Sequence, residues 1–273
     1  MTTEQYQLPD LLRVMQRLRD PDSGCPWDLR QNFESLTSST LEECYELAQA
    51  IESADYPHVE EELGDVLFQV VFYAQLGCER ELFSFDDVIN TLVSKLLRRH
   101  PHVFKDGDIE GVIESDTSID EVQHSWEAIK AGERKAKSQG GVLDDVPLAL
   151  PALPRAQKIQ KRASASHFDW PDHIGALAKI EEELLELKSA IAAGSQRAIE
   201  EEMGDLLFSC VNVSRHLKVD AEASLRRATK KFESRFQQVL KSAELSGHTL
   251  DQLSESELNA LWLSAKLSAG DPP

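Results

Sequence analysis

Two stretches of the second half decide the reading of this chain: Glu181-Glu-Glu-Leu-Leu-Glu-Leu187 and Glu200-Glu-Glu-Met-Gly-Asp-Leu-Leu-Phe208. Residues three and four apart share one face of a helix, so Glu183 projects with Glu186, and Glu202 with Asp205. Between the stretches lies Ala-Ala-Gly194-Ser, a turn signal. Glu186 stands eight residues before Gly194 and Glu202 eight after it. At ~1.5 Å of rise per residue the two lie at the same level of an antiparallel helix pair, and four carboxylates converge. Such a group is self-repelling unless a cation offsets it, and an all-oxygen donor set suits Mg²⁺, with Mn²⁺ as the alternative. A di-iron bundle would want Glu-x-x-His pairs, which neither motif carries. A single Glu-Glu-x-x-Glu is ordinarily no more than a solvated helix face. Here, however, Asp65 and Asp205 sit among Leu, Gly and Phe, so they are expected near the apolar interior.

The same pattern occurs in the first half. Leu41-Glu-Glu-Cys-Tyr-Glu-Leu47 and Glu60-Glu-Glu-Leu-Gly-Asp-Val-Leu-Phe68 match the second-half stretches at an offset of 140 residues, with Asp55-Tyr-Pro57 as the turn between them. Lys95, Arg99, Trp126 and Lys130 match Lys231, Arg235, Trp262 and Lys266 at an offset of 136. Acidic coincidences are cheap in an acidic chain, but four cationic and aromatic positions at one offset indicate a duplication. Glu43, Glu46, Glu62 and Asp65 therefore form a second candidate metal site. Lys95, Arg99, Trp126 and Lys130 form a second candidate nucleotide site.

Outward from these motifs, amphipathic segments rich in Glu, Lys and Leu dominate and no run of alternating strands stands out, so the expected fold class is all-α, as two tandem four-helix-type domains. From Gly132 to Pro154 the chain reads GERKAKSQGGVLDDVPLALPALP, where a glycine pair and three prolines interrupt the helical pattern. This places an N-terminal domain at 1–138, a linker at 139–150 and a C-terminal domain at 151–273. Of 273 residues, 41% are hydrophobic and 28% charged, an ordinary globular composition. The 48 acidic against 29 basic residues give a net charge of −19, which disfavours nucleic acid polymers as partners. The opening MTTEQYQLPD has neither the basic nor the apolar region of a secretory signal, and the most apolar stretch, Val66 to Leu76, is short and broken by Gln69 and Gln75. A cytoplasmic protein that does not enter the membrane is expected. Cys25, Cys44, Cys78 and Cys210 lack metal-type spacing and read as free thiols. Cys25-Pro-Trp-Asp28 reads as a packed turn, and His100 and His102, around a proline with basic flanks, as a loop or subunit contact.

Together these residues resemble the MazG family of nucleoside triphosphate pyrophosphohydrolases, all-α enzymes with an EExxE followed by an ExxD. The resemblance rests on Gly24-Cys-Pro-Trp-Asp28, Thr40-Leu-Glu-Glu43, Glu61-Glu-Leu-Gly-Asp65 and Arg98-Arg-His-Pro-His-Val-Phe104 in the first half. In the second it rests on Glu201-Glu-Met-Gly-Asp205, Lys231-Phe-Glu233, Arg235-Phe236 and Trp262 with Lys266. It implies Mg²⁺-dependent hydrolysis of a nucleoside triphosphate to the monophosphate and pyrophosphate by a homodimer. Residue by residue, it puts Mg²⁺ on Glu183, Glu186, Glu202 and Asp205, and nucleotide contacts on Lys179, Lys231, Arg235, Trp262 and Lys266. A triphosphate brings about four negative charges, which metal ions and such cations must offset, and an indole face accepts any base. Glu182 and Glu201, each beside a ligand, are the candidates for the carboxylate that takes up the proton of the attacking water. Two other classes compete: a regulatory module that binds Mg²⁺-nucleotide without turnover, and a helical scaffold whose acids serve solubility. The first half lacks the cation of Lys179, since Ser39 stands at that offset, so the second half is expected to carry most of the turnover.

Overall fold

The computed structural model describes residues 5–112, 117–136 and 141–268. Among them the chain forms ten α-helices: α1 (Leu8–Leu18), α2 (Thr37–Glu52), α3 (Tyr56–Glu79), α4 (Phe85–Arg99), α5 (Ile119–Ala136), α6 (Ala152–Ala165), α7 (His173–Ala193), α8 (Gln196–His216), α9 (Ala221–Leu245) and α10 (Glu255–Ser268). The only extended pairing among the described residues is a single bridge between Phe104 and Val112. The fold is all-α.

Local chemistry sets the helix ends that position the acidic motifs. The Asp172 side chain accepts from the Ile174 N–H at 2.8 Å and starts α7, while Gly194 at φ +67° ends it in the left-handed region, where glycine pays no steric cost. Ser195 then caps α8. In the first half Asp55 caps α3, with Pro57 in its first turn, where a missing N–H costs nothing. The expected turns thus lie at the helix ends, and α7 packs along α8 as α2 packs along α3.

The chain divides into two compact units, up to Lys130 and from Ala131 on. In the first, α3 packs against α1, α2 and α4 around Met15, Leu36, Val71, Phe72 and Leu76, with Phe33, Phe68, Tyr73 and Phe85 against them. In the second, α6 packs on α8 and α9, and α10 on α9. The buried apolar residues there are smaller, chiefly Ala and Val: Ala176, Ala190, Val211, Val239 and Ala243. Of the stretch expected as linker, residues 141–150 are described; Val146 is buried and Asp145 pairs with Arg162 of α6.

No described helix is long and apolar enough to cross a membrane. The four cysteines are free. In the Cys25-Pro-Trp-Asp28 turn the packed member is Asp28, whose carbonyl accepts from Arg19, whereas Trp27 is exposed. His100 meets the edge of Trp126 at a centroid distance of 4.8 Å.

Candidate metal and nucleotide site

In the second half, Glu183 and Glu186 of α7 and Glu202 of α8 each offer an oxygen within 4.8 Å of the other two. Three points that close have a common point no more than about 2.8 Å from each (4.8 Å divided by √3), near the bond lengths of a hard divalent cation. Glu183 is only 4% exposed. Lys179, one turn earlier, holds Glu183 at 2.7 Å and Glu182 at 2.7 Å. Those hydrogen bonds, to Glu182 and then to Glu183, keep its amine protonated far above its ordinary range. Glu202 takes up a proton more readily than a free glutamate, first through partial desolvation and then through the charges of Glu186, Glu183, Asp205 and Glu201.

The first half repeats the cluster with Glu43, Glu46 and Glu62, but with a different member buried. Glu62, on the second helix of the pair, is 5% exposed; its Oε1 meets His58 Nε2 at 2.6 Å and its buried Oε2 has no hydrogen-bond partner. Glu43 is pushed up by desolvation and by Asp65, Glu46, Glu62 and Glu42. An orphaned buried carboxylate oxygen among like charges is costly to leave alone, and a cation is the group that satisfies it. Both clusters therefore fit a divalent metal.

One expectation fails. Asp65 and Asp205 are exposed, not interior. A Cβ added to the adjoining Gly64 or Gly204 would meet nothing within 4 Å, so that helix face is open. Burial falls instead on a glutamate, Glu62 in the first half and Glu183 in the second. Both aspartates still act on their clusters, Asp65 through its charge on Glu43 and Asp205 through its charge on Glu202.

Beside the second cluster lies a cavity of about 660 Å³, walled by Lys179, Glu183 and Asp205 together with α6, α8 and the loop between α6 and α7. The MazG nucleotide pyrophosphohydrolase domain model matches residues 31–104 and 172–240, a segment around each cluster. The chain belongs to the MazG family. As a MazG protein it is a nucleotide pyrophosphohydrolase, a hydrolase. It is 44% identical over 262 residues to a nucleoside triphosphate pyrophosphohydrolase of Escherichia coli (strain K12), covering 95% of this chain and 97% of the relative. It is 47% identical over 257 residues to the nucleoside triphosphate pyrophosphohydrolase/pyrophosphatase MazG of Thermotoga maritima, covering 94% of each. A third relative, a nucleoside triphosphate pyrophosphohydrolase of Mycolicibacterium smegmatis, is 33% identical over 268 residues, 97% of this chain and 72% of that one.

The other residues singled out from the MazG motifs fall into separate groups. Trp262 of α10 touches Phe232 of α9 at a centroid distance of 5.3 Å and carries the Arg235 guanidinium over its ring at 5.9 Å. Lys231 is exposed on α9 and Lys266 half-buried on α10. This α9–α10 group does not line the cavity beside the carboxylates. The first half builds a similar group, with Arg99 at 5.7 Å and Lys130 at 5.4 Å from the Trp126 ring and Lys95 half-buried one turn before Arg99. Glu182 is engaged by Lys179, and Glu201 by Arg197 at 2.9 Å; both are more than half exposed.

What the motifs missed is the rest of the cavity wall: Gln160 of α6, Phe168 and Trp170 of the loop, and Ser209, Asn212 and Arg215 of α8. Their one sequence signal is a pair of aromatics in the polar stretch His167-Phe-Asp-Trp170. At the offset of 140, Asn212 corresponds to Phe72, which is fully buried in the first-half core.

Proposed function

We propose that the chain hydrolyses nucleoside triphosphates to the monophosphate and pyrophosphate, chiefly in its second half, with Mg²⁺ or Mn²⁺ held by Glu183, Glu186, Glu202 and Asp205. The observation that carries this is the convergence of Glu183, Glu186 and Glu202, with Glu183 at the wall of a cavity that Lys179 and Asp205 also line. A bound divalent cation supplies charge neutralisation and Lewis acidity toward the phosphates and the attacking water. Lys179, kept protonated by Glu182 and Glu183, would offer its charge to the phosphates. Glu182 or Glu201 takes up the proton of the attacking water in this reading, since neither is needed as a ligand. Lys231, Arg235 and Lys266, with the Trp262 ring beside them, offer further cations to the nucleotide.

A homodimer is the proposed working unit. On α7 and α8, Leu184, Leu185, Ile191, Met203, Leu207 and Phe208 are each 41–62% exposed, an apolar area that a second copy would cover. For the first half a different reading has support: metal binding at Glu43, Glu46, Glu62 and Asp65 without turnover. There His58 supports the cluster in place of Lys179, and Phe72 fills the core at the position of Asn212. The group of Lys95, Arg99, Trp126 and Lys130 is then a nucleotide contact of a regulatory kind.

The test is to incubate the full chain with ATP, GTP, CTP, UTP and deoxynucleotides plus Mg²⁺ and identify the products. Monophosphate with pyrophosphate supports the proposal; diphosphate with phosphate, or binding with no turnover, overturns it.

A further inference from the structure

The two carboxylate clusters differ in the partners that their own helices give them. In the second half Lys179 Nζ stands 2.7 Å from Glu182 and 2.7 Å from Glu183, so one ammonium bridges two carboxylates of the motif. Glu183 is 4% exposed, and a charge-assisted bond of this kind is what keeps a buried carboxylate satisfied. In the first half the position of Lys179 is taken by Ser39, which carries no charge. Among the described residues no Lys or Arg pairs with Glu43, Glu46 or Glu62. Glu62, 5% exposed, is held by His58, one turn before it on α3, through a single contact of 2.6 Å to Oε1.

The two donors differ in kind as well as in reach. A lysine ammonium keeps its charge, so a divalent ion placed beside Glu183 meets a positive neighbour. An imidazole can donate the same N–H as a neutral group, with no charge to oppose the ion. A carboxylate that already holds a cation must release it before the oxygen can serve a metal, which lowers metal affinity. Carboxylates gathered with no such cation repel one another, and a metal relieves that repulsion.

We propose that Lys179 is an internal counter-ion that ties metal binding in the second half to the arrival of a triphosphate, while the first half, which lacks one, takes up a divalent ion unaided. The proposal rests on the reading of both clusters as metal sites and of the second as the hydrolytic one. A triphosphate offers Lys179 acceptors of higher charge, and as the ammonium turns to them Glu183 is released to the metal. Metal and nucleotide then bind cooperatively in the second half. In the first half the ion is resident: it offsets the charges of Glu43, Glu46 and Glu62 and ties α2 to α3 with no nucleotide present. Two clusters of the same residue types thereby have different duties, decided by whether a lysine or a serine stands one turn before the first glutamate of the cluster.

The test uses the full chain, freed of metal by chelation and titrated with Mn²⁺, with bound ion counted by electron paramagnetic resonance. Without nucleotide, the wild type is expected to bind one Mn²⁺ per chain at least about tenfold more tightly than a second. Glu43→Gln should remove the tight class and Glu183→Gln the weak one. Lys179→Met keeps the apolar stem and removes the charge. It is expected to tighten the weak class by about tenfold to a hundredfold, the range for one charge-assisted hydrogen bond, while turnover falls. A misfolded variant cannot mimic a gain in affinity. Adding α,β-methylene-ATP, which is not cleaved between its α and β phosphates, should tighten the weak class more in the wild type than in Lys179→Met. Two classes of equal affinity in the wild type, loss of the tight class in Glu183→Gln, or a second class unchanged or weakened in Lys179→Met would each overturn the proposal. Product analysis on the same proteins reports on the hydrolytic reading separately: monophosphate and pyrophosphate from a wild type with two equal Mn²⁺ classes sinks the counter-ion and leaves the enzyme standing.

Discussion

Replacing Glu183 by Gln removes one charge from the second cluster and nearly preserves shape. The attraction between a unit negative charge and a divalent cation about 2.8 Å away is about 12 kcal/mol at an effective dielectric constant near 20. Part of this is offset, because Glu183 already holds Lys179 at 2.7 Å, an attraction of about 6 kcal/mol on the same scale, and exchanges it for the metal. The net loss is about 6 kcal/mol. The Gln carbonyl retains some coordination, so Mn²⁺ affinity at this cluster is expected to fall by at least about 10³-fold, with turnover falling in parallel. Isothermal titration with Mn²⁺ and an assay of pyrophosphate release measure the two effects. The control is Glu43→Gln, which should abolish binding at the first cluster and leave most of the turnover in place. If Glu183→Gln keeps both Mn²⁺ stoichiometry and turnover, the cluster is not the metal site. If Glu43→Gln alone stops hydrolysis, the working half is the first.

The carboxyls of Glu43 and Glu202 are raised above 4.5, so their contribution to stability is fully present below that value and is lost as pH rises through the raised range. Metal offsets that loss, and the gain in Tm from saturating Mn²⁺ should be larger near about pH 7 than near about pH 5; an equal or greater gain at the lower pH would contradict the proton competition. Phe72 is fully buried and edge-on to Phe68 at 5.7 Å, so Phe72→Ala should cost about 3–5 kcal/mol in urea unfolding. A loss below about 1 kcal/mol would mean that the first-half core is not packed as described. Sedimentation equilibrium at micromolar concentration should give the mass of a dimer; a fully active monomer would leave the apolar faces of α7 and α8 without the proposed partner.

The amino-acid sequence by itself determined the all-α class, the duplication and the two carboxylate clusters, because these follow from local rules. The 3.6-residue period puts Glu183 with Glu186 and Glu202 with Asp205 on shared faces, and the distance from Gly194 sets the level at which facing helices align. Depth is a different matter. Whether Glu62 or Glu183 is the buried member, and that Asp65 and Asp205 lie in the open, depends on how two helices rotate against each other and on what packs behind them, which no local spacing encodes. The same holds for the pairing of Asp169 with Arg215, 46 residues apart, and for the unpartnered oxygen of Gln160. The contrast between a first half filled by Phe72 and a second half left open at Asn212 was present in the sequence as one substitution between repeats. Its meaning came only from the tertiary structure, because a side chain fills a cavity by volume and position in three dimensions, and the chain order records neither.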